Sequence, residues 1–221
     1  MSIHLERDLE SLKKNLLTMG AMVEDALRKA IAALIERNQQ IADAVVHGDD
    51  VINHWEVEIE EACLKMLALH QPVAGDLRFI AAVMKINNDL ERIGDHAVNI
   101  AERATRLIAM GPMPVPPLLK PMADNVSGMV RGSLDAFVNR DARAAQKIRD
   151  EDNVVDEQNR QIIADMHNAM RADATMIDQA SSQLAVSQDL ERVADLATNI
   201  AEDVIYLVEG QIIRHRSYSA S

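Results

Sequence analysis

A chain of 221 residues with 2% aromatic residues and 8 Gly has too few sheet formers and turn residues for a strand-rich fold. Its 23 basic and 35 acidic residues leave a formal charge of −12, which repels nucleic acid and anionic lipid unless a dense basic patch intervenes, and none is visible. The single cysteine, Cys63, excludes an internal disulfide and fits a reducing compartment.

The first residues, Met1 to Arg7, carry charge at once and read as no secretory signal. No run approaches the ~18 consecutive apolar residues of a membrane span, so a soluble, cytoplasmic protein is expected. The apolar residues are Ala, Leu, Ile, Val and Met, many of them good helix formers, and they predict an all-α fold. Helices are predicted over 4–37, 41–69 and 76–109, with breaks at Asn38-Gln39 and at His70–Gly75 and with Asp76 as an N-cap. The segment Gly111-Pro112-Met113-Pro114-Val115-Pro116-Pro117 then stops the helical pattern, because proline lacks an amide donor and clashes with the preceding turn. Further helices are predicted over 118–139, 142–172 and 178–209, with Asp141 and Asp178 as N-caps and Gly210 at a C-cap. Short connections make neighbouring helices antiparallel. The organisation expected is a three-helix bundle over 1–110, a stiff linker over 111–117, a second three-helix bundle over 118–210 and a frayed tail over 211–221.

The halves repeat each other. Residues 89–102 read DLERIGDHAVNIAE and residues 189–202 read DLERVADLATNIAE, identical at ten of fourteen positions at an offset of 100. On a helix, Glu91, Asp95, Asn99 and Glu102 fall within an arc of about 80°, opposite the stripe of Ile93, Ala97 and Ile100. Glu191, Asp195, Asn199 and Glu202 repeat the arrangement. With the apolar stripe turned to the core, the acidic ridge is expected to face outward. Two readings of the ridge stand: a solvated face on which Arg92 and Arg192 relieve the repulsion, or a site for a cation that prefers carboxylate and amide oxygens. The repeated Asn99 and Asn199 favour the second. Asp152 and Asp156 on the fifth helix, and Asp49 and Asn53 on the second, have the same i,i+4 spacing and would complete the two sites. The first-half pair carries one charge fewer.

None of the seven histidines follows a Glu by three residues, as a di-iron bundle enzyme would require, and no zinc-protease, nucleophile-elbow or Walker motif is present. His96 is replaced by Leu196 in the repeat and reads as a surface histidine. Cys63 reads as a small buried hydrophobe, and Trp55 and the methionines read as core or interface residues. No catalytic or cofactor-binding residue is assigned, and no enzyme activity is expected.

The repeated segments resemble the signature of the PhoU family, a Glu-Arg-Ile-Gly-Asp core with a following Asn in each half. Met19-Gly20-Ala21-Met22-Val23-Glu24, Gln71-Pro72 followed by Asp76-Leu77-Arg78, and Val208-Glu209-Gly210-Gln211 extend the resemblance along nearly the whole chain. The resemblance implies tandem three-helix bundles. It also implies a negative regulator of the phosphate-starvation response, acting as an adaptor between the ATPase side of a phosphate ABC transporter and the sensor histidine kinase PhoR. Membrane association would come only through those partners, no nucleic acid is involved, and a homodimer is the expected assembly. It further implies divalent or trivalent cations (iron, zinc, magnesium or manganese) at Glu91–Asp95, Glu191–Asp195 and Asp152–Asp156. Asp49–Asn53 departs from that pattern, as does Ala194 where the family has Gly. The alternatives are a metal-binding storage or redox bundle and a plain helical scaffold.

Overall fold

The computed structural model describes residues 3–112 and 114–210, and these form six α-helices with no strand among the described residues. The helices are α1 (Ile3–Glu36), α2 (Gln39–His70), α3 (Ala74–Met110), α4 (Leu119–Asn139), α5 (Ala142–Ala172) and α6 (Ile177–Glu209), with one 3₁₀ turn at Ala174–Met176. The expected tail over 211–221 lies outside the described residues.

Apolar periodicity sets these elements, and local chemistry ends them. The Asn38 side chain accepts from the Gln40 and Ile41 amides, so the residue expected only to break the chain is the N-cap of α2. Asp141 caps α5 as expected, accepting from the amides of Arg143 and Ala144 at 3.0 Å. Gly210 ends α6 with φ 71°, a left-handed backbone that glycine adopts without a Cβ clash. Two expected caps are corrected. Asp76 and Asp178 lie inside the first turns of α3 and α6, because the helices begin earlier, at Ala74 and Ile177. There each carboxylate faces the positive end of the helix dipole instead of capping it.

Helices α1–α3 form one bundle and α4–α6 the other. The bundles are joined side by side through α3 and α6, which run antiparallel. Lys85 Nζ meets Asp203 Oδ1 at 3.0 Å, His96 Nδ1 meets Asp189 Oδ1 at 3.0 Å, and Gln179 near the start of α6 reaches the Met110 carbonyl at the end of α3. Helices α1 and α4 are also antiparallel, with Lys13 Nζ near the Val138 carbonyl and Arg131 pairing with Glu24. Gly20 permits this approach, since a Cβ there would stand 2.8 Å from Leu134 Cδ1. Phe79 of α3 stacks on Phe137 of α4 with ring centroids 5.8 Å apart.

The core is continuous across both halves and is built from Leu, Ile, Val, Ala and Met, with Ile93 and its repeat Val193 both fully buried. Each buried Leu, Ile, Val or Met side chain contributes about 1.5–3 kcal/mol relative to exposure. The proline segment is held to the body by amide and guanidinium donors. Arg37 Nη2 donates to the carbonyls of Leu107 and Gly111 at 2.9 Å, and Gln183 Nε2 donates to the Pro114 carbonyl at 3.1 Å.

Candidate functional site

The outward ridge is seen in part: Asp95, Asp195 and Glu102 are exposed, whereas Glu91, Asn99, Glu191, Asn199 and Glu202 are half-buried against neighbouring helices. Glu91 and Asp95 border the groove between α3 and α2, with Glu91 half-buried. Gly94 sits at its floor, where a Cβ would stand 3.4 Å from Ile52 and 3.7 Å from Asp49 Oδ1. That is ordinary contact, which explains how Ala194 fills the same position in the second half. The ridge must share a flank with α2 because α3 buries two sides, one in its own bundle and one against α6. The only polar positions left to it are at the borders.

In the first half, α2 supplies Asp49, Asn53 and Glu56 to this groove. Asn53 Nδ2 donates to Asp49 Oδ2 at 2.9 Å. That bond leaves Asp49 Oδ1 and Asn53 Oδ1 buried with no donor. Burial pushes the Asp49 carboxyl above its usual range, and the Asp95 charge adds to the rise while the Asn53 hydrogen bond opposes it. Glu91 is raised by burial and then by Asp95, Glu56 and Asp49. In the second half, Asp152 rises to about 6, through burial and then the charges of Asp195, Asp156 and Glu191. Glu191 and Asp195 are raised by burial and by Asp156. Each groove therefore concentrates negative charge in a place where water screens it poorly, and protons or a cation would relieve it.

Glu56 is the member that sequence reasoning missed. It stands three residues after Asn53 on the same helix face, and its α5 counterpart at the offset of 103 that relates Asp49 to Asp152 is Asn159. The first groove thus takes Asp49, Asn53 and Glu56 from α2, and the second takes Asp152, Asp156 and Asn159 from α5. Each set holds two carboxylates and one amide. The charge that Asn53 removes is restored by Glu56, so the departure at Asn53 does not leave the first groove poorer. Asn159 Oδ1, like Asn53 Oδ1, is buried without a donor.

The donor chemistry of both grooves is oxygen only, which suits a hard or intermediate cation. Among the described residues, no three His, Cys, Asp or Glu side chains stand close enough as placed to hold an ion. Ligation would therefore need side-chain rotation within the groove. Asn199 does not join the acidic set. It lines a recess at the α3–α6 seam with Lys85, Asn88, Asp89 and Arg92. Its repeat mate Asn99 is half-buried, next to the same seam side of the ridge. Glu202 is also engaged elsewhere, its Oε1 lying 3.2 Å from Arg149 Nε of α5 with both side chains mostly buried.

His96 is not a surface histidine. It is mostly buried at the seam, where its Nδ1 and the Nε of Arg103 hold the two oxygens of Asp189 at 3.0 and 2.8 Å. Burial alone would raise the Asp189 carboxyl, but these two hydrogen bonds and the Arg103 charge bring it below the usual range. Cys63 is fully buried and its thiol is pushed up to about 12 by burial, so it stays protonated and packs as a hydrophobe. No described helix is long and apolar enough to cross a membrane.

A model of the PhoU domain matches the chain twice, over residues 16–104 and 119–204. The phosphate-specific transport system accessory protein PhoU homolog of Aquifex aeolicus is 40% identical over 96% of this chain and 96% of its own length. The phosphate-specific transport system accessory protein PhoU of Escherichia coli is 35% identical over 94% of this chain and 86% of its own. The crystal structure of PhoU from Pseudomonas aeruginosa superposes with a TM-score of 0.90 at 37% identity, covering 93% of this chain and 99% of that one. The structure of the phosphate transport system regulatory protein PhoU from Streptococcus pneumoniae superposes at 0.87 with 28% identity, over 94% and 98%.

Proposed function

The chain belongs to the PhoU family, and from that premise we propose that it is a non-catalytic accessory regulator of phosphate transport. The observation that carries this reading is the doubled family match, one copy on each bundle, shared over nearly the full length of relatives named for the phosphate-specific transport system. In finer detail, the protein acts in the cytoplasm as an adaptor between the ATPase subunit of a phosphate ABC transporter and the PhoR kinase, works as a homodimer and holds the starvation response off when phosphate is plentiful. Deleting the gene and measuring alkaline phosphatase in high phosphate tests this. Derepression is expected, and unchanged repression would overturn it.

A second reading, compatible with the first, is favoured by the orphaned oxygens of Asp49 and Asn53. Each groove holds an oxygen-preferring cation, such as magnesium, manganese, zinc or iron. Asp49, Asn53, Glu56, Glu91 and Asp95 would hold it in the first half, and Asp152, Asp156, Asn159, Glu191 and Asp195 in the second. Such an ion would neutralise the clustered carboxylates and brace α2 against α3 and α5 against α6.

A further inference from the structure

The repeat supplies an internal control for the outer helices, α2 and α5, which occupy matching places in the two bundles. Their buried lines agree, with Ile52, Ile59 and Met66 of α2 answering Val155, Ile162 and a half-buried Ala169 of α5. Their outward faces do not agree. On α2, Val51, Val57, Leu64 and Leu69 are exposed by 49%, 48%, 50% and 66%. At the offset of 103, α5 places Val154, Arg160, His167 and Ala172 there. Charge diverges too. Helix α2 carries seven acidic residues against the single Lys65, a net of −6, while α5 carries six against five, a net of −1.

These differences fall on one strip. Val57 and Leu64 are two turns apart, with Glu61 one turn beyond Val57 on nearly the same line. Val51 and Leu69 flank the strip with Glu58 on their side. Among the described residues, Asp50 and Glu61 make no ion pair, and Glu58 meets only His54, at 4.0 Å. Val51 has an equally exposed counterpart in Val154, but Val57, Leu64 and Leu69 are left in water where the duplicate carries Arg160, His167 and Ala172, which indicates a use that only the first half serves. The intervening carboxylates, of which only Glu58 has an ion-pair contact among the described residues, indicate what covers them.

We propose that the outward face of α2 is a docking strip for a basic amphipathic helix of a partner protein. Apolar side chains at i, i+3, i+4 and i+7 on such a helix would cover Val57 and Leu64, and flanking Lys or Arg would pair with Asp50, Glu58 and Glu61. The charge rules out the other occupants of an apolar strip. A second copy would set the exposed carboxylates Asp50, Glu58 and Glu61 of one strip, offset only by Lys65, against the same carboxylates of another, and an anionic membrane would repel them. The inference deepens the adaptor reading and rests on it only for the existence of a protein partner.

The test uses the purified full chain and three fluorescent peptides: a helical Leu/Lys amphipath, its Leu/Glu counterpart, and a scrambled Leu/Lys sequence without helical periodicity. Anisotropy should show binding of the first alone. Hydrogen exchange should place the new protection on residues 50–69 and not on α5. Val57→Arg with Leu64→His, which grafts the α5 residues onto α2, should weaken binding tenfold or more at unchanged helicity. Because that variant could fold poorly, Arg160→Val with His167→Leu gives a second arm, which should create a weaker second site on α5. Equal binding of the Leu/Glu peptide, protection mapped elsewhere, or loss of the strip to self-association in sedimentation would overturn the proposal. The gene deletion is independent of this assay. Unchanged repression with intact, mapped peptide binding would strike the adaptor reading alone, while derepression with no mapped binding would strike the docking strip alone.

Discussion

Asp189 of α6 receives the Nδ1 proton of His96 from α3 at 3.0 Å, and this contact ties one bundle to the other. An ionised carboxylate only accepts, so the imidazole must carry its proton on Nδ1. Arg103 satisfies the second carboxylate oxygen. The repeat does not reproduce this arrangement. The positions that answer His96 and Arg103 are Leu196 and Asp203, and Asp203 is held instead by Lys85 at 3.0 Å. The seam is therefore pinned by two unlike ion pairs on either side of its pseudo-twofold.

Asp189→Ala should destabilise the protein by about 3 kcal/mol, since it strands Arg103 and His96 at a buried interface. Urea unfolding reads this directly. The folded carboxyl lies below its usual range, so its contribution is present above the unfolded value near 3.8 and is lost as pH falls through the lower folded value. The variant's deficit should accordingly be full at pH 7 and shrink only in strong acid.

Asp152 works in the opposite direction. Its carboxyl is raised to about 6, so its ionisation opposes folding. The penalty is absent below the unfolded value of 3.8, grows as pH rises to about 6, and is constant above that. With chelator present, Asp152→Asn should stabilise the protein at pH 7 by about 1 kcal/mol, after allowance for partial solvent screening, and leave it unchanged at pH 3. Thermal unfolding at the two pH values checks the sign.

Asp95→Ala combined with Asp195→Ala should lower bound metal, read by elemental analysis after dialysis against magnesium, manganese or zinc. Both side chains are exposed at the groove mouth, so helicity should hold. Metal content equal to that of the parent chain would mean that the grooves are not the site.

Helix number, the interruption at the prolines and the acidic line of α3 and α6 were legible because each follows from periodicity within one segment. The seam was not. A helical wheel places Asp89 and Asp189 between the apolar and acidic stripes, and nothing in a single wheel shows that α3 has a second buried side against α6. His96 looked dispensable for the same reason: its partner is not in its own repeat but across the pseudo-twofold. Glu56 was legible in principle, standing on the face of Asp49 and Asn53, but it becomes meaningful only when set against Asn159. Glu202 looked like an outward ridge charge because Arg149 lies on another helix.

The proline segment should be the first site of proteolysis by a broad-specificity protease, with cuts between about 110 and 120. The α3–α6 seam decides the fate of the two fragments. They should elute together from a sizing column in buffer and separate only in denaturant. Separate elution in buffer would mean that the seam does not hold the halves once the chain is cut.

Glu102 and Glu202 occupy the same repeat position yet should respond differently to charge reversal. Glu102 is exposed and meets only Arg106, at 3.8 Å, whereas Glu202 has 12% of its side chain exposed and pairs with Arg149. Glu102→Lys changes the surface field and little else, so stability should stay within about 0.5 kcal/mol. If the ridge steers a basic partner, association should slow, and the slowing should vanish as salt screens it. Glu202→Lys sets two cations together between α5 and α6 and should cost about 2–3 kcal/mol, measured by urea unfolding. A slower association in that variant would then report a loosened second bundle and not lost steering, so stopped-flow rates across salt carry weight for the Glu102 variant alone. Wild-type rates there at every salt concentration would remove the ridge as the steering surface.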